Sequence, residues 1–399
     1  MSSASRQVLL LSGGQALLLT NAVTLVAVNG LAGYALAADK TLATLPVTTY
    51  VIGAALATLP ASLLMQRIGR RAGFSIGALF GIAGALIAAL AVSIGSFALL
   101  CAGTLVSGFY NAFGQYFRFA AADVADHYDP GFKERAISLV LAGGIVGGII
   151  GPETSKISKD LLPAMFAGSY AVLALFALLS LLLAQGLRIP VAVADAADGP
   201  ARPIAQIMRQ PVFIVAVVAA TMGYGVMNLL MTATPLSMQS CGYPYADAAL
   251  ILEWHVIGMY GPGFFTGSLI RRFGAARVML AGCLLYFLCI SVALSGVGIG
   301  QFWFALFTLG VGWNFLYTGG TTLLTRTYTV AEKAKVQGVN DLLVFVTMVT
   351  SSFSSGALFS ASGWNMLNWL SLPFIALVVV AVSWLRASET RAHRVAQVQ

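Results

Sequence analysis

The sequence predicts an all-α membrane protein with twelve transmembrane helices in two pseudo-symmetric six-helix halves and both termini in the cytoplasm. Three observations lead to this fold class: the composition, the distribution of basic residues and an internal repeat. Of the 399 residues, 59% are hydrophobic and only 9% are charged, whereas a soluble protein carries about 25% charged residues. Most of the chain is therefore expected to be solvated by the lipid bilayer.

The sequence contains twelve apolar stretches that we interpret as membrane spans. A helix needs about 20 apolar residues to cross a bilayer. The centres of these stretches lie near residues 21, 54, 84, 110, 146, 175, 224, 258, 287, 312, 348 and 376. The opening sequence MSSASRQ is short and polar and shows no cleavable signal pattern, so we expect the first span to be retained.

The basic residues predict the orientation of these spans. The chain has 22 Lys and Arg against 14 Asp and Glu, which gives a net charge of +8. With cytoplasmic termini, eighteen of these basic residues lie on the inside, and only Lys40, Lys156 and Lys159 lie on the outside. This bias is the positive-inside pattern of membrane proteins. The charge thus reflects topology, and no nucleic acid partner is expected.

A basic turn occurs twice, about half the chain apart. Residues 66–71 read QRIGRR and residues 271–277 read RRFGAAR. A repeat at this distance indicates a duplicated six-helix unit. The sequence therefore predicts an N-terminal half at residues 1–187, a cytoplasmic linker at 188–209 and a C-terminal half with a short cytoplasmic tail at 210–399.

The twelve spans, the linker and the repeated turn together resemble the major facilitator superfamily of transporters. The family's loop signature is Gly-x-Leu-x-Asp-Arg-x-Gly-Arg-Arg. Ser62 and Gln66 replace its Gly and Asp in the first copy; in the second, Gly267 and Leu269 match but Arg271 stands at the Asp position. The resemblance implies a substrate site near the bilayer midplane, and the departures predict a charge-pair latch without its carboxylate.

Four ionisable residues fall inside the predicted spans: Arg118, Glu153, Glu253 and Asp341. Such groups are costly in a membrane and indicate function by default. Three acids against one base favour cations or protons as transported species. We therefore expect Arg118, Glu153 and Asp341 to take part in proton coupling or gating.

The fifth span carries small residues at four-residue spacing over residues 143–152, a pattern that lets helices approach closely. We interpret it first as a packing face. It is also similar to the signature of the superfamily's antiporters, which Gly147, Gly151 and Pro152 match. Ser155 and Lys156 stand where that signature closes with two glycines, which argues against an exporter.

Two residue pairs in the seventh and eighth spans predict a metal site. Met227 and Met231 are four residues apart, as are His255 and Met259, so each pair shares one helix face. Thioethers select Cu(I), and imidazole also suits copper. The alternatives are that the methionines fill the core and that His255 bonds a neighbouring helix or carries a coupling proton.

The ordered pair of motifs, Met-x-x-x-Met followed by His-x-x-x-Met, resembles that of the CcoA-type copper importers, a bacterial branch of the superfamily. This resemblance implies copper import across the bacterial inner (cytoplasmic) membrane for assembly of the cbb3-type cytochrome oxidase. Copper would be the substrate and no cofactor is implied. Cys241 and Met238 would relay the metal, and periplasmic or cytoplasmic copper carriers would be partners.

Two other functions compete with copper import. One is a proton-coupled carrier of a small organic molecule, such as a riboflavin-like vitamin or a drug, since relatives of the copper importers resemble riboflavin carriers. The other is a copper-binding membrane sensor, which the short linker and tail disfavour. An enzyme is not expected, because no catalytic motif falls on a soluble segment.

Overall fold

The computed structural model describes residues 3–39, 42, 45–189 and 201–396 of the chain. Within these ranges the regular secondary structure is helical and includes a short 3-10 turn at Pro130–Phe132. The helices are α1 (Ser3–Leu36), α2 (Leu45–Ile68), α3 (Arg70–Ile94), α4 (Phe97–Gly114), α5 (Phe117–Tyr128), α6 (Lys133–Ala142), α7 (Gly144–Ser158), α8 (Ala167–Gln185), α9 (Ile204–Met208), α10 (Pro211–Ser240), α11 (Tyr245–Tyr260), α12 (Gly263–Phe273), α13 (Ala275–Ser295), α14 (Ile299–Leu324) and α15 (Lys333–Ala396).

Ten helical segments of the described chain are long and apolar enough to cross a membrane. The predicted eighth span is not among them because it is divided into α11 and α12, of 16 and 11 residues. Pro262 lies at this break, where it removes a backbone donor and disfavours a continuous helix. The all-α membrane fold is confirmed, and the count of twelve spans stays a prediction.

The predicted eleventh and twelfth spans together form α15, which has 64 residues. A straight helix of this length would extend over roughly 96 Å at 1.5 Å per residue, about three times the hydrocarbon thickness of a bilayer. Gly363 interrupts it with φ 73° and ψ −179°. A residue with a side chain rarely adopts this conformation, so the glycine permits the chain to bend between two helices.

The two basic turns found in the sequence have the same backbone conformation. Gly69 precedes α3 with φ 84° and ψ 163°, and Gly274 precedes α13 with φ 85° and ψ 151°. This region of φ and ψ is essentially restricted to glycine. The Arg-x-Gly pattern therefore repeats a structural requirement as well as a charge.

The chain divides into two compact units. The first unit comprises Met1–Val193 and Gln337–Phe345, and the second comprises Ala194–Val336 and Val346–Gln399. The first unit thus includes part of the beginning of α15. The division into halves at 1–187 and 210–399 stays a prediction. Lys40 and residues 190–200 of the predicted linker lie outside the described residues.

In the first unit, α3 packs on α4 and α8, α2 packs on α4, and α1 packs on α7. Its apolar core includes Tyr50, Leu100 and Tyr170. A Cβ atom added at Gly147 of α7 would lie 2.5 Å from the backbone nitrogen of Thr20 on α1. The small-residue pattern therefore serves helix packing, which confirms the first interpretation of residues 143–152.

In the second unit, α14 is the central helix and packs against α10, α11 and α13. A Cβ atom at Gly310 of α14 would lie 2.5 Å from the carbonyl oxygen of His255 on α11, and one at Gly320 would lie 3.0 Å from that of Ala216 on α10. These glycines let three helix backbones approach closely, which fixes the positions of the side chains between them.

An ion pair joins the described end of the predicted linker to the loop before α15. Arg202 donates from Nε and Nη2 to the two carboxylate oxygens of Glu332, both at 2.7 Å. The backbone N–H groups of Thr329 and Arg202 donate to the same carboxylate at 2.9 Å. The hydrogen bond from the Arg202 side chain is the main reason that the pKa of Glu332 is lowered to about 2.

Candidate functional site

The four side chains predicted to bind copper lie on α10 and α11 of the second unit. Met227, His255 and Met259 are buried and Met231 is half-buried. The Nδ1 atom of His255 lies 2.7 Å from the carbonyl oxygen of Leu306 on α14. Because a carbonyl oxygen can only accept, Nδ1 must carry a proton. Nε2 is then the lone-pair nitrogen of the neutral ring, and no described residue bonds to it.

The predicted relay residues have different environments. Cys241 is exposed at the end of α10, with a free thiol. Met238, one turn earlier on that helix, is fully buried. The side chains therefore do not form an exposed pair of sulfur ligands on one surface.

A buried ion pair joins Arg118 and Asp341 in the first unit. The guanidinium Nη2 donates to Asp341 Oδ1, and both side chains are almost fully buried. Arg118 Nη1 also donates to the backbone oxygen of Gln115 at 3.1 Å, and Asn340 Nδ2 donates to Asp341 Oδ1 at 2.8 Å. The cation lies 4.5 Å from the centre of the Phe119 ring. The pair is thus held on α5 and α15 by several contacts.

The two oxygens of Asp341 are used unequally. Oδ1 accepts from Arg118 and Asn340, whereas Oδ2 is buried with no hydrogen-bond partner among the described residues. A buried ion pair is stable only while its charges compensate each other. Oδ2 is therefore a position at which a proton would change the charge balance of a membrane-spanning segment.

Glu153 differs from this pair. Its carboxylate pairs with Lys156 at 2.6 Å, and more than half of each side chain is exposed. The arrangement is an ordinary surface pair between neighbouring helical turns. Among the three residues predicted to couple or gate transport, the structure brings together Arg118 and Asp341 and leaves Glu153 apart.

A second charged contact in the first unit corrects the expectation that the basic turn has no carboxylate partner. Arg70, at the start of α3, donates from Nε to Asp123 Oδ2 at 2.9 Å and from Nη2 to Gln337 Oε1 at 2.9 Å. Gln66 does replace the Asp of the loop signature, but Asp123 on α5 supplies the carboxylate. The expectation was wrong because it considered the loop alone.

The second unit contains an aromatic cluster that the sequence patterns did not predict. It consists of Tyr224 on α10, Tyr260 on α11, and Trp313 and Tyr317 on α14. The Trp313 and Tyr317 rings stack at 4.8 Å with an interplanar angle of 18°. Tyr224 meets both edge-to-face at 5.3 and 5.5 Å, and Tyr260 meets Trp313 at 5.6 Å. Four rings from three helices are thus in contact. Each ring lies near the middle of its predicted span.

Two neutral polar residues of α14, Asn314 and Thr318, directly follow Trp313 and Tyr317 in the sequence. Asn314 accepts from Thr266 at 2.7 Å and donates to the backbone of Met259 at 2.7 Å. The indole N–H of Trp313 and the hydroxyl of Thr318 are buried without a hydrogen-bond partner among the described residues. The arrangement offers ring faces and uncharged hydrogen-bonding groups. The four-residue spacing of Trp313 and Tyr317 was the one signal in the sequence, since it places both rings on the same helix face.

Comparison with known proteins identifies similar proteins over almost the whole chain. A family model described as "Major Facilitator Superfamily" matches residues 10–261 and 255–399. The riboflavin transporter RfnT of Brucella anthropi is 41% identical over 382 residues, which are 95% of this chain and 95% of that protein. The uncharacterized MFS-type transporter YdeG of Bacillus subtilis is 27% identical, over 90% of this chain and 87% of that protein.

Solved structures are similar in fold. The transporter FucP in its outward conformation has a TM-score of 0.77 at 15% identity, over 94% of this chain and 97% of that one. A bacterial homologue of the iron transporter ferroportin has a TM-score of 0.75 at 13% identity, over 97% and 100%. At such low identity these likenesses concern the fold alone. Together with the family match, they place the chain in a bacterial inner membrane as a multi-pass protein.

The prediction of copper import is wrong. It is overturned by the near full-length similarity to a protein that is named as a riboflavin transporter. The resemblance to CcoA-type importers, copper as substrate and partner, the copper carriers and the supply of the cbb3-type oxidase are all corrected by this finding. Two five-residue motifs were weak signals beside 41% identity over 95% of the chain. Any other role of Met227, Met231, His255 and Met259 stays untested.

Proposed function

The chain belongs to the Major Facilitator Superfamily, and from this we propose that it transports riboflavin or a closely similar flavin across the bacterial inner membrane by alternating access. The main support for this proposal is the 41% identity to the riboflavin transporter RfnT over 95% of both chains. Because the similarity covers 95% of the chain, it extends over both predicted halves. Members of this superfamily are generally not enzymes, and we propose no catalytic activity for this chain.

The aromatic cluster supports this substrate class. Riboflavin has a planar, uncharged three-ring system with a polyhydroxyl side chain. Carriers recognise such molecules with apolar and aromatic surfaces and a small number of well-placed polar groups. The aromatic surface is provided by Tyr224, Tyr260, Trp313 and Tyr317. The neutral polar groups of α14 provide hydrogen bonds.

The proposed topology keeps twelve spans, with both termini in the cytoplasm. Its support is the excess of basic residues in the loops assigned to the inside and the break at Gly363, which divides α15 into two spans. In this proposal α11 and α12 together form one span, interrupted at Pro262. Residues 1–187 and 210–399 form the two halves in this proposal, joined by the linker 188–209.

We assign proton coupling or gating to Arg118 and Asp341. The pair is buried within candidate spans, and Asp341 Oδ2 has no partner in the described chain. A proton on this carboxylate weakens the attraction to Arg118, which gives a transporter a means of linking proton binding to conformational change. Glu153 is left out of this role because its pair with Lys156 lies at the protein surface, where more than half of each side chain is exposed.

The function is tested by growth rescue. The gene is expressed in a bacterial strain that neither synthesises nor imports riboflavin, and growth is followed at limiting external riboflavin. We expect growth at riboflavin concentrations at which the empty vector gives none. Growth equal to that of the empty vector, with the protein present in the membrane, would contradict the proposal.

Coupling is tested separately with Asp341→Asn. The variant keeps the shape of the side chain but cannot release a proton. We expect it to exchange riboflavin across a membrane at equal concentrations on both sides, yet to fail to accumulate riboflavin when a proton gradient is applied. Accumulation by Asp341→Asn at the wild-type level would remove Asp341 from the coupling mechanism.

A further inference from the structure

The geometry points to the aromatic cluster of the second unit, Tyr224, Tyr260, Trp313 and Tyr317, as the subsite that binds the planar ring system of the substrate. This inference rests on the proposed flavin transport and specifies which part of the molecule is recognised where. The chemical class of ligand is a neutral, planar, fused heteroaromatic ring.

The arrangement of the rings is the first argument. Trp313 and Tyr317 already stack almost parallel, so their helix positions suit parallel aromatic contact. Tyr224 stands edge-on to this pair, at 88° to Trp313 and 79° to Tyr317. Aromatic pairs are favourable in both edge-to-face and offset-stacked geometries. A planar ligand can therefore replace the edge contacts of Tyr224 by stacking without loss of aromatic interaction.

The accessibility of the rings is the second argument. Trp313, Tyr317 and Tyr260 are buried, whereas Tyr224 is half-buried. Tyr224 is thus the most exposed member of the cluster. It contacts both rings of α14 from α10, so a ligand that displaces its side chain meets those two rings.

The unpartnered indole N–H is the third argument. Trp313 is 2% exposed, and its Nε1 has no hydrogen-bond partner among the described residues. A buried donor without an acceptor is unfavourable, and tryptophan usually finds a partner when buried. A flavin carries acceptors both along the edge of its ring and on its ribityl chain. An acceptor that lies beside the indole, in the plane of that ring and not over its face, supplies the missing partner.

The charge of the surroundings is the fourth argument. In the membrane-spanning helices of the second unit, the buried polar residues that the structure describes are hydroxyls, amides and the imidazole of His255. Riboflavin is uncharged at neutral pH, so it needs no counter-ion in its site. A carrier for an organic anion would be expected to place an opposite charge there.

The experiment measures binding of riboflavin to the purified full-length protein by quenching of flavin fluorescence, which stacking on Trp or Tyr produces. The variants are Trp313→Phe, which keeps a ring but removes the N–H group, and Tyr317→Leu, which removes the stacked ring. Trp369→Phe is the matched control because Trp369 is 56% exposed. We expect Trp313→Phe and Tyr317→Leu each to weaken binding about tenfold, and Trp369→Phe to bind like the wild type.

A competition arm uses only the wild type and does not depend on how the variants fold. Lumiflavin contains the ring system without the ribityl chain, and ribitol contains the chain without the ring. We expect lumiflavin to displace riboflavin and ribitol to have no effect at the same concentration.

The outcomes separate the two proposals. If the wild type transports riboflavin, but both cluster variants bind it with wild-type affinity or ribitol competes better than lumiflavin, the ring subsite is wrong and flavin transport stands. If the wild type neither binds nor transports riboflavin, flavin transport fails and the subsite fails with it.

Discussion

The two compact units bury different chemistry. The first unit buries two pairs of opposite charges among its polar contacts, Arg118 with Asp341 and Arg70 with Asp123. In the membrane helices of the second unit, the described interior is aromatic and neutral, with four clustered rings and hydrogen bonds between amides, hydroxyls and backbone. Charges respond to protons, whereas neutral rings recognise neutral ligands. The comparison therefore suggests that energy coupling and substrate recognition belong to different units.

The largest change in the free energy of unfolding is expected when the buried pair of Arg118 and Asp341 is broken. Arg118→Ala leaves Asp341 buried without its counter-charge and should lower the free energy of unfolding by about 3–5 kcal/mol. The double variant Arg118→Ala with Asp341→Ala should recover much of this loss, because it leaves no uncompensated charge. Denaturant unfolding of the detergent-solubilised protein measures both changes.

Glu153 and Lys156 provide the control for that experiment within the same unit. Their side chains are mostly exposed, and such surface pairs contribute about 0–1 kcal/mol. Lys156→Ala should therefore change the free energy of unfolding little. A loss as large as that of Arg118→Ala would mean that burial does not decide the contribution of these pairs.

An intermediate change in the free energy of unfolding is expected at the two glycine turns, which have the same backbone conformation in both units. Gly69→Ala and Gly274→Ala both force a side chain into the same glycine conformation, and each should lower the free energy of unfolding by about 1–3 kcal/mol. Nothing in the described chain lies near an added Cβ at Gly274, so its effect reports backbone strain.

Gly30→Ala and Gly300→Ala are the matched controls, one in each unit. Both glycines are helical, and an added Cβ meets no atom within 4 Å. Alanine should be neutral or stabilise by about 0.4–1 kcal/mol at such positions. If the two turn variants differed strongly from each other, the repeated turns would not have equivalent structural roles.

The smallest change in the free energy of unfolding is expected for the ion pair of Arg202 and Glu332, which lies outside the predicted spans. The pKa of Glu332 is lowered from its usual value near 4.5 to about 2, chiefly by the Arg202 side chain. A carboxylate with a lowered pKa in the folded state stabilises the fold above its unfolded pKa, and this contribution is lost as the pH falls through the folded pKa. Glu332→Gln should therefore reduce stability by about 1 kcal/mol near neutral pH.

The difference between wild type and Glu332→Gln should be constant above about pH 5 and shrink between about pH 4.5 and pH 2. Thermal unfolding of both proteins across this range checks the expectation. A difference that grew as the pH fell would contradict the assigned ion pair.

The sequence was sufficient for features that local pattern determines. Apolar stretches predicted the membrane helices, and the Arg-x-Gly repeat predicted turns that Gly69 and Gly274 form with the same φ and ψ. The division of α11 from α12 could have been inferred from Pro262. Hydropathy did not show it, because both sides of the break are apolar.

The site was predicted less well because it depends on contacts between distant residues. Asp123 completes the contact of Arg70 from another helix, and the loop signature does not include it. Tyr224, Tyr260 and Trp313 are far apart in sequence and meet only through the packing of α10 and α11 on α14. By contrast, the Met and His motifs attracted attention because of their spacing, although a shared helix face does not reveal what that face contacts.

The most direct test of flavin transport is counterflow in proteoliposomes. Vesicles that contain only the purified protein are loaded with unlabelled riboflavin and diluted into a trace of labelled riboflavin. We expect rapid, transient accumulation of label that lumiflavin inhibits and that Trp313→Phe reduces, whereas Trp369→Phe accumulates label like the wild type. Label uptake no greater than in protein-free vesicles would contradict it.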